Sequence, residues 1–193
     1  MILALVALLV GACQSPPGKF HVSREEFFAT TKSLLVQPLK GPQFDPDQLT
    51  EIDRRVLETL KDEGFQTVDG SLIAGGEKTA DGVDAVLFKG LVARDAIFDD
   101  FGARWDGVEV DFELPSSGPW GLSDDLAGKV RGMSLYISIA DGEGNLRYEG
   151  FGGIGLLHRW NGSRYEPVDP KTLLSDPAVI ERAVRITLAP LKH

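Results

Sequence analysis

Acidic side chains are concentrated between residues 95 and 113. This stretch holds seven carboxylates and a single basic residue, Arg104. The seven are Asp95, Asp99, Asp100, Asp106, Glu109, Asp111 and Glu113. Such a group can bind a basic partner, hold a divalent cation weakly or, where two carboxylates flank a cleft, hydrolyse a glycosidic bond. A solvated strand face is the simplest interpretation of the same pattern, because charged side chains are mostly exposed.

Two tryptophans, Trp105 and Trp120, bracket part of this acidic segment. Tryptophan fills protein cores, and it also anchors protein interfaces. We therefore predict a partner-binding surface from these residue types, with a core position as the alternative for each tryptophan. The predicted surface consists of Trp105, Asp106, Glu109, Asp111, Glu113 and Trp120. A second hypothesis, a cell-wall glycan hydrolase that uses acidic residues in 95–113, stays open.

A glycine-rich segment at residues 150–155 has the spacing GxGxxG of a dinucleotide-binding loop. That loop works only where the N-terminus of a helix follows and receives the pyrophosphate. The residues that follow, 156–162, are too short and too rich in turn formers to make such a helix. We predict instead a strand that bulges, or that allows another backbone to approach closely, and no nucleotide partner.

Other chemistry-bearing side chains are scattered along the chain. No pair among His21, His158 and His193 has the spacing of zinc ligands, and no serine lies in a Gly-x-Ser-x-Gly motif. Asp141-Gly-Glu-Gly-Asn145 alternates oxygen ligands but lacks the glycine and the closing acid of a calcium loop, so it predicts a hairpin turn. We therefore predict no catalytic residue, no metal and no cofactor, and expect that the protein is not an enzyme.

Length and charge narrow the possible classes of protein. The 193 residues are 42% hydrophobic, which is enough for one domain with a proper core. The net charge of −9 argues against nucleic-acid binding, since such a surface repels phosphates. A single cysteine rules out a disulfide within the chain.

The N-terminus explains that cysteine. Residues 1–10 form an uninterrupted apolar run, too short to span a bilayer but of the length found in secretory signals. The run ends in Val10-Gly11-Ala12-Cys13, which resembles a bacterial lipobox. The resemblance implies that residues 1–12 are a signal peptide, that Cys13 is lipidated and that the partner of the anchor is a membrane. Gln14 in place of aspartate implies the outer membrane.

The elements that position these residues follow from hydrophobic periodicity and cap signals. Residues 13–19, with two prolines and a glycine, predict a tether, and residues 20–193 a single globular domain. The predicted helices cover residues 23–31, 47–63 and 176–188. The predicted strands cover residues 33–39, 65–68, 85–93, 108–114, 130–140 and 145–157. The fold class is α/β (α+β): one mixed sheet of five to six strands packed by two or three helices, with a C-terminal hairpin and a closing helix.

Several local features are similar to the TolB amino-terminal and curli-secretion lipoprotein superfamily. They are Glu26-Phe27 with Lys32, Gly64-Phe65, Trp105-Asp106-Gly107, the strand at 134–141 and the closing helix. The resemblance implies a domain used for contacts within the cell envelope. Our expectation is an outer-membrane lipoprotein that acts as a non-enzymatic accessory or assembly component, with envelope proteins as partners. An oligomeric secretion-pore component is a further alternative.

Overall fold

The computed structural model describes residues 18–41, 43–72, 82–99, 102–111, 131–160 and 165–192. The strands are β1 (Gly18–Phe20), β2 (Ser33–Val36), β3 (Gln66–Asp69), β4 (Ala85–Asp95), β5 (Ile97–Asp99), β6 (Gly102–Trp105), β7 (Val108–Asp111), β8 (Arg131–Asp141), β9 (Leu146–Leu156), β10 (His158–Trp160) and β11 (Tyr165–Pro167). The helices are α1 (Arg24–Thr30), α2 (Pro46–Asp62), α3 (Pro170–Leu173) and α4 (Pro177–Leu188).

Six of the strands form one mixed sheet in the order β1-β9-β8-β4-β2-β3. Strand β2 runs parallel to both of its neighbours, and the other pairs are antiparallel. This confirms the predicted α+β class and mixed sheet. Two small sheets, β5-β6-β7 and β10-β11, were not predicted from the sequence.

The parallel part of the sheet is built by the crossover from β2 through α2 to β3. Helix α2 begins where the Asp45 carboxylate accepts from the backbone N–H of Asp47, with Pro46 in the first turn. Its buried side chains recur at helical spacing and pack on the sheet: Leu49, Ile52, Val56 and Leu60. Gly64 follows with a φ of +88°, the left-handed conformation that ends a helix. The predicted helix at 47–63 is confirmed to within a residue.

The long hairpin β8–β9 lies between β1 and β4 in the sheet. Alternate residues of β8 point into the core: Met133, Leu135, Ile137 and Ile139. At the turn, the Asp141 carboxylate accepts from the backbone N–H groups of Glu143 and Asn145, and these bonds lower the pKa of Asp141. The predicted hairpin is confirmed. The carboxylates within residues 141–145 accept hydrogen bonds from other residues of the same turn.

Helix α4 closes the core over β9 and β8. It begins as predicted, with the Asp176 carboxylate accepting from the N–H of Ala178 and Pro177 in the first turn. Tyr148 of β9, which is fully buried, donates its hydroxyl to the carbonyl of Thr187 on this helix. The helices α1, α2 and α4 contribute to one apolar core on the same face of the sheet. Within the part of the chain that the structure describes, no helix is long and apolar enough to cross a membrane.

Candidate functional site

Within the acidic segment, residues 97–99 and 102–111 form the small sheet β5-β6-β7, which follows β4. Strands β6 and β7 form a hairpin in which Trp105 is opposite Val108, so Asp106 and Gly107 are its two-residue loop. Both have positive φ angles, 39° and 77°, as a type I′ turn requires. The predicted strand at 108–114 is confirmed over Val108–Asp111, residues 112–114 lie outside the described part of the chain, and the hairpin was not predicted. The Asp-Gly pair is the signal that would have revealed it.

Trp105 lies inside the molecule, with only 4% of its surface exposed. Its indole Nε1 donates to the carbonyl of Met133 at 3.3 Å. The ring lies so close to Gly132 that a side chain there would collide with it, whereas a side chain at Gly153 would first collide with Val108 and would lie 3.0 Å from the indole Nε1. Trp105 therefore attaches the β6–β7 hairpin to the main sheet, which corresponds to the core alternative considered from the sequence.

Asp106 has internal partners on both its side chain and its backbone. Its carboxylate accepts from the Ser134 hydroxyl at 2.7 Å and from Arg94 Nε at 3.2 Å, and its side chain is 12% exposed. Its carbonyl accepts from the N–H of Gly153 at 3.0 Å, next to the end of β1 along the same edge of β9. Arg94 also stacks over the ring of Phe151 at 4.1 Å. Asp106 is thus an organising residue of the hairpin.

The other predicted partner-binding residues are placed differently. Glu109 on β7 has an exposed side chain. Asp111 is the last residue of β7, whereas Glu113, Trp120 and the predicted lipidation site Cys13 lie outside the described residues. Binding of a partner by this set stays a prediction. The structure brings together the backbone of Trp105, Asp106, Glu109 and Asp111 in one hairpin.

The glycine-rich segment lies within β9 and is covered by α4, as predicted for a strand that another backbone approaches closely. A side chain at Gly152 would collide with the carbonyl oxygen of Ala183, and one at Gly150 would lie 2.7 Å from the carbonyl of Thr187. The β8–β9 register shifts between Met133 and Ser134, where β9 carries one extra residue. The prediction of a bulged, closely approached strand is confirmed.

We expect Gly152→Ala to lower the free energy of unfolding by about 2 kcal/mol or more, because α4 must move to admit one methyl group. Gly90→Ala on β4 is the matched control, since its new methyl would meet only Tyr136, at 4.0 Å. We expect the control to change stability by less than about 0.5 kcal/mol. Urea unfolding followed by circular dichroism measures both. Equal losses in the two variants would contradict the close approach of α4.

A groove of about 410 Å³ opens beside α2, where β2 and β3 end. Its walls are mainly apolar, from Pro38, Leu39 and Leu49, and the carboxylates of Asp53 and Asp69 line it. Crevices at the carboxyl ends of parallel strands are common ligand positions. This groove was not predicted from the sequence, because its residues come from three separate segments.

A buried ion pair lies beneath the groove. Lys89 Nζ is 2.9 Å from Asp53 Oδ1, at angles outside those of a hydrogen bond, and the lysine side chain is 1% exposed. Burial lowers the pKa of Lys89, although Asp53 and Asp69 oppose this shift. Both carboxylate oxygens of Asp53 also accept from the N–H of Leu39, each at 3.1 Å. The ion pair therefore links helix α2 to strand β4. Through Leu39, Asp53 also links α2 to the segment that follows β2.

Comparison with known proteins identifies no family: no family model and no curated protein matches the chain. Among solved structures, the chain is similar to two PelC dodecamer structures from Paraburkholderia phytofirmans. They show 11% identity, TM-scores of 0.44 and 0.43, and coverage of 85% and 84% of this chain and 91% and 90% of theirs. It is also similar to a PDZ domain protein from Parabacteroides distasonis (12% identity, TM-score 0.39), covering 89% of this chain and 34% of the other. Similarity at this level carries no argument about function.

Proposed function

We propose that this protein is an envelope lipoprotein, anchored in the outer membrane through lipid on Cys13, that acts as a non-enzymatic accessory or assembly component. The observation that carries the proposal is the sequence Val10-Gly11-Ala12-Cys13 at the end of an apolar run. Two or three acyl chains hold a protein durably at a membrane, whereas one chain does so only marginally. The single thiol of the chain thereby has a complete role.

The folded domain supports the non-enzymatic part of the proposal. Three carboxylates that could have served chemistry hold parts of the fold together. Asp106 bonds to Ser134 and Asp141 bonds to its own turn, while Asp53 pairs with Lys89. Strand β1 begins at Gly18, five residues after Cys13 along the chain.

We expect Cys13→Ser to release the protein from the membrane fraction into the soluble periplasmic fraction, because the variant has no thiol to acylate. Fractionation of cells and metabolic labelling with a radioactive fatty acid measure this. Ser15→Ala is the matched control and should stay lipidated and membrane-bound. A Cys13→Ser protein that remains in the membrane fraction would contradict the proposed anchor.

The outer-membrane location has a separate test at the next residue. We expect Gln14→Asp to move the lipidated protein to the inner membrane, whereas Gln14→Asn leaves it in the outer membrane. Separation of the two membranes on a sucrose gradient measures the distribution. An unchanged distribution of the aspartate variant would argue against sorting by residue 14.

The accessory role predicts a protein partner. Crosslinking of intact cells followed by purification of this protein should recover an envelope protein with the wild type. The recovery should fall with Cys13→Ser, because loss of the anchor removes the protein from the membrane surface. Recovery of no envelope protein with the wild type would count against an assembly function.

A further inference from the structure

Strand β3 is an edge of the six-stranded sheet, and among the described residues only β2 pairs with it. The N–H of Gln66 donates to the carbonyl of Lys32, next to β2, at 2.9 Å. Because the bonding direction alternates from residue to residue along a strand, the peptide groups of Gln66 and Val68 are turned toward β2. The backbone N–H and C=O groups of Thr67 and Asp69 therefore point away from the sheet.

This edge carries little of the protection that native edges usually have. Lysine, proline, a bulge or a covering element commonly prevents an edge strand from pairing with another chain. Strand β3 is short, with four residues, but it contains neither lysine nor proline, and its register with β2 is uninterrupted. Val68 is 42% exposed, and Leu72 in the following turn is 82% exposed. The edge thus offers both backbone bonds and apolar contacts.

The groove beside α2 lies where the side chains of an added strand would be placed. The helix residues that line it include Pro46, Leu49, Asp53 and Leu57, which form one flank of α2. This flank is about 16 Å long, the length of an extended segment of about five residues. Asp69 lines the groove from β3. A strand added about 4.8 Å beyond β3 would direct every second side chain along the flank.

The charges of the groove indicate which side chain would enter it. Asp53 pairs with the buried Lys89, and the same ammonium group is attracted by Asp69. Asp69 also accepts from the N–H of Ser71 at 2.8 Å. The lining arginine, Arg54, is bound by two glutamates of its own helix, each at 2.6 Å. Two carboxylates against one ammonium group leave a negative charge, and the walls are mainly apolar. A lysine or arginine fits both, because its aliphatic stem packs on apolar surface while its charge reaches a carboxylate.

We propose that the β3 edge binds an extended segment of a partner protein by strand addition. An apolar side chain of the segment packs on Val68, and a basic side chain enters the groove toward Asp69. The inference rests on the proposed accessory role and adds to it a surface and a class of partner. The lipid on Cys13 takes no part in this contact.

Hydrogen exchange at single amides tests the strand addition, with the peptide Lys-Val-Lys-Val-Lys-Val-Lys as the probe. The full-length protein is purified in mild detergent, and exchange is followed by mass spectrometry with fragmentation. In the free protein, we expect the amides of Thr67 and Asp69 to exchange fast and those of Gln66 and Val68 to exchange slowly. The peptide should slow exchange at Thr67 and Asp69 at least about tenfold. Two control peptides should not: one with glutamate in place of lysine, and Lys-Lys-Lys-Lys-Val-Val-Val, which does not alternate.

Variants of the β3 edge test the two side-chain contacts through the anisotropy of the labelled lysine peptide. Val68→Lys should weaken binding at least about fivefold. Phe88→Lys is the matched control, since Phe88 is 48% exposed but lies two strands away on β4, and its binding should equal that of the wild type. Asp69→Asn still accepts from the N–H of Ser71, and it should weaken binding at least about threefold through loss of the charge.

Several outcomes would overturn the inference. They are no binding of the lysine peptide, binding without protection of Thr67 and Asp69, and equal binding of all three peptides. Protection of these amides without peptide that grows with protein concentration would mean that a second copy of the chain occupies the edge. Crosslinking in intact cells separates this proposal from the accessory role. An envelope protein recovered equally with the wild type and Val68→Lys refutes the β3 edge alone, whereas no recovery with the wild type counts against the role itself.

Discussion

Replacement of Asp53 by asparagine should lower the free energy of unfolding by about 3 kcal/mol near neutral pH. The variant leaves Lys89 charged and buried without its counterion, which costs about 3–5 kcal/mol in proteins. We expect the lower end of this range because the Asp53 side chain is 21% exposed. The asparagine oxygen can still accept from the N–H of Leu39, so the variant tests the charge rather than that hydrogen bond. Urea unfolding followed by circular dichroism measures the loss.

Lys89→Met is the matched control for this experiment. It removes the buried charge and fills the same space, and Asp53 keeps both its solvent exposure and its bond from Leu39. We expect a cost below about 1 kcal/mol, since buried ion pairs are often replaced by apolar residues without loss. In the Lys89→Met background, Asp53→Asn should then change the free energy of unfolding little. Equal losses in the two single variants, with no coupling between them, would refute a stabilising role of the ion pair.

The ion pair of Lys89 and Asp53 also makes the stability loss of the Asp53→Asn variant dependent on pH. In the unfolded chain Lys89 has an ordinary lysine pKa of about 10.4, whereas burial lowers its pKa in the folded protein. The unfolded state therefore binds the proton more tightly, and raising the pH between the two pKa values favours the folded state. In Asp53→Asn the pKa of Lys89 should fall further. The deficit of this variant relative to the wild type should thus shrink as the pH rises toward about 10.

Trp105→Ala should lower the free energy of unfolding by about 3–5 kcal/mol, the usual loss when a buried tryptophan is truncated to alanine. Trp105 belongs to a small cluster with Ala103 and Val108, separate from the main core, so the loss should open the β5-β6-β7 sheet first. Limited trypsin digestion measures this opening through faster cleavage after Arg104. Equilibrium unfolding measures the effect on the whole domain.

Phe88→Ala is the control for the tryptophan variant. Phe88 is also an aromatic residue on the sheet, but 48% of its surface is exposed, so its truncation should cost less than about 1 kcal/mol. Its tryptic cleavage after Arg104 should match that of the wild type. Unchanged cleavage in Trp105→Ala would mean that the hairpin is held by contacts other than the indole.

Local patterns in the sequence predicted the main elements of the fold well. The helix at 47–63 and the hairpin of β8 and β9 were found because their apolar residues repeat at 3.6 and at 2 residues. The closing helix followed from Asp176-Pro177, whose cap geometry depends only on adjacent residues. The glycine-rich segment was correctly assigned to a strand because no helix could follow it.

The acidic segment was harder to interpret, because the sequence does not show whether a carboxylate faces water or a buried serine. Nothing near Asp106 in the sequence indicates Ser134, which is 28 residues away and on another strand. Lys89 interrupts an apolar strand, which signals a special position, but its partner Asp53 comes from a distant helix. The groove beside α2 likewise depends on segments that meet only in the folded protein.

The sequence alone determined the features that arise between close neighbours along the chain: the apolar run before Cys13, the periodic helices and strands, and the caps and turns that end them. These features depend on the chemistry of neighbouring residues, which is the same whatever fold the chain adopts. Only the tertiary structure decided which side chains meet across the sheet, and so turned Trp105 and Asp106 into residues that fasten a hairpin. It also decided that residues 18–20 form an edge strand next to β9, because strand order depends on long-range packing that no local pattern records.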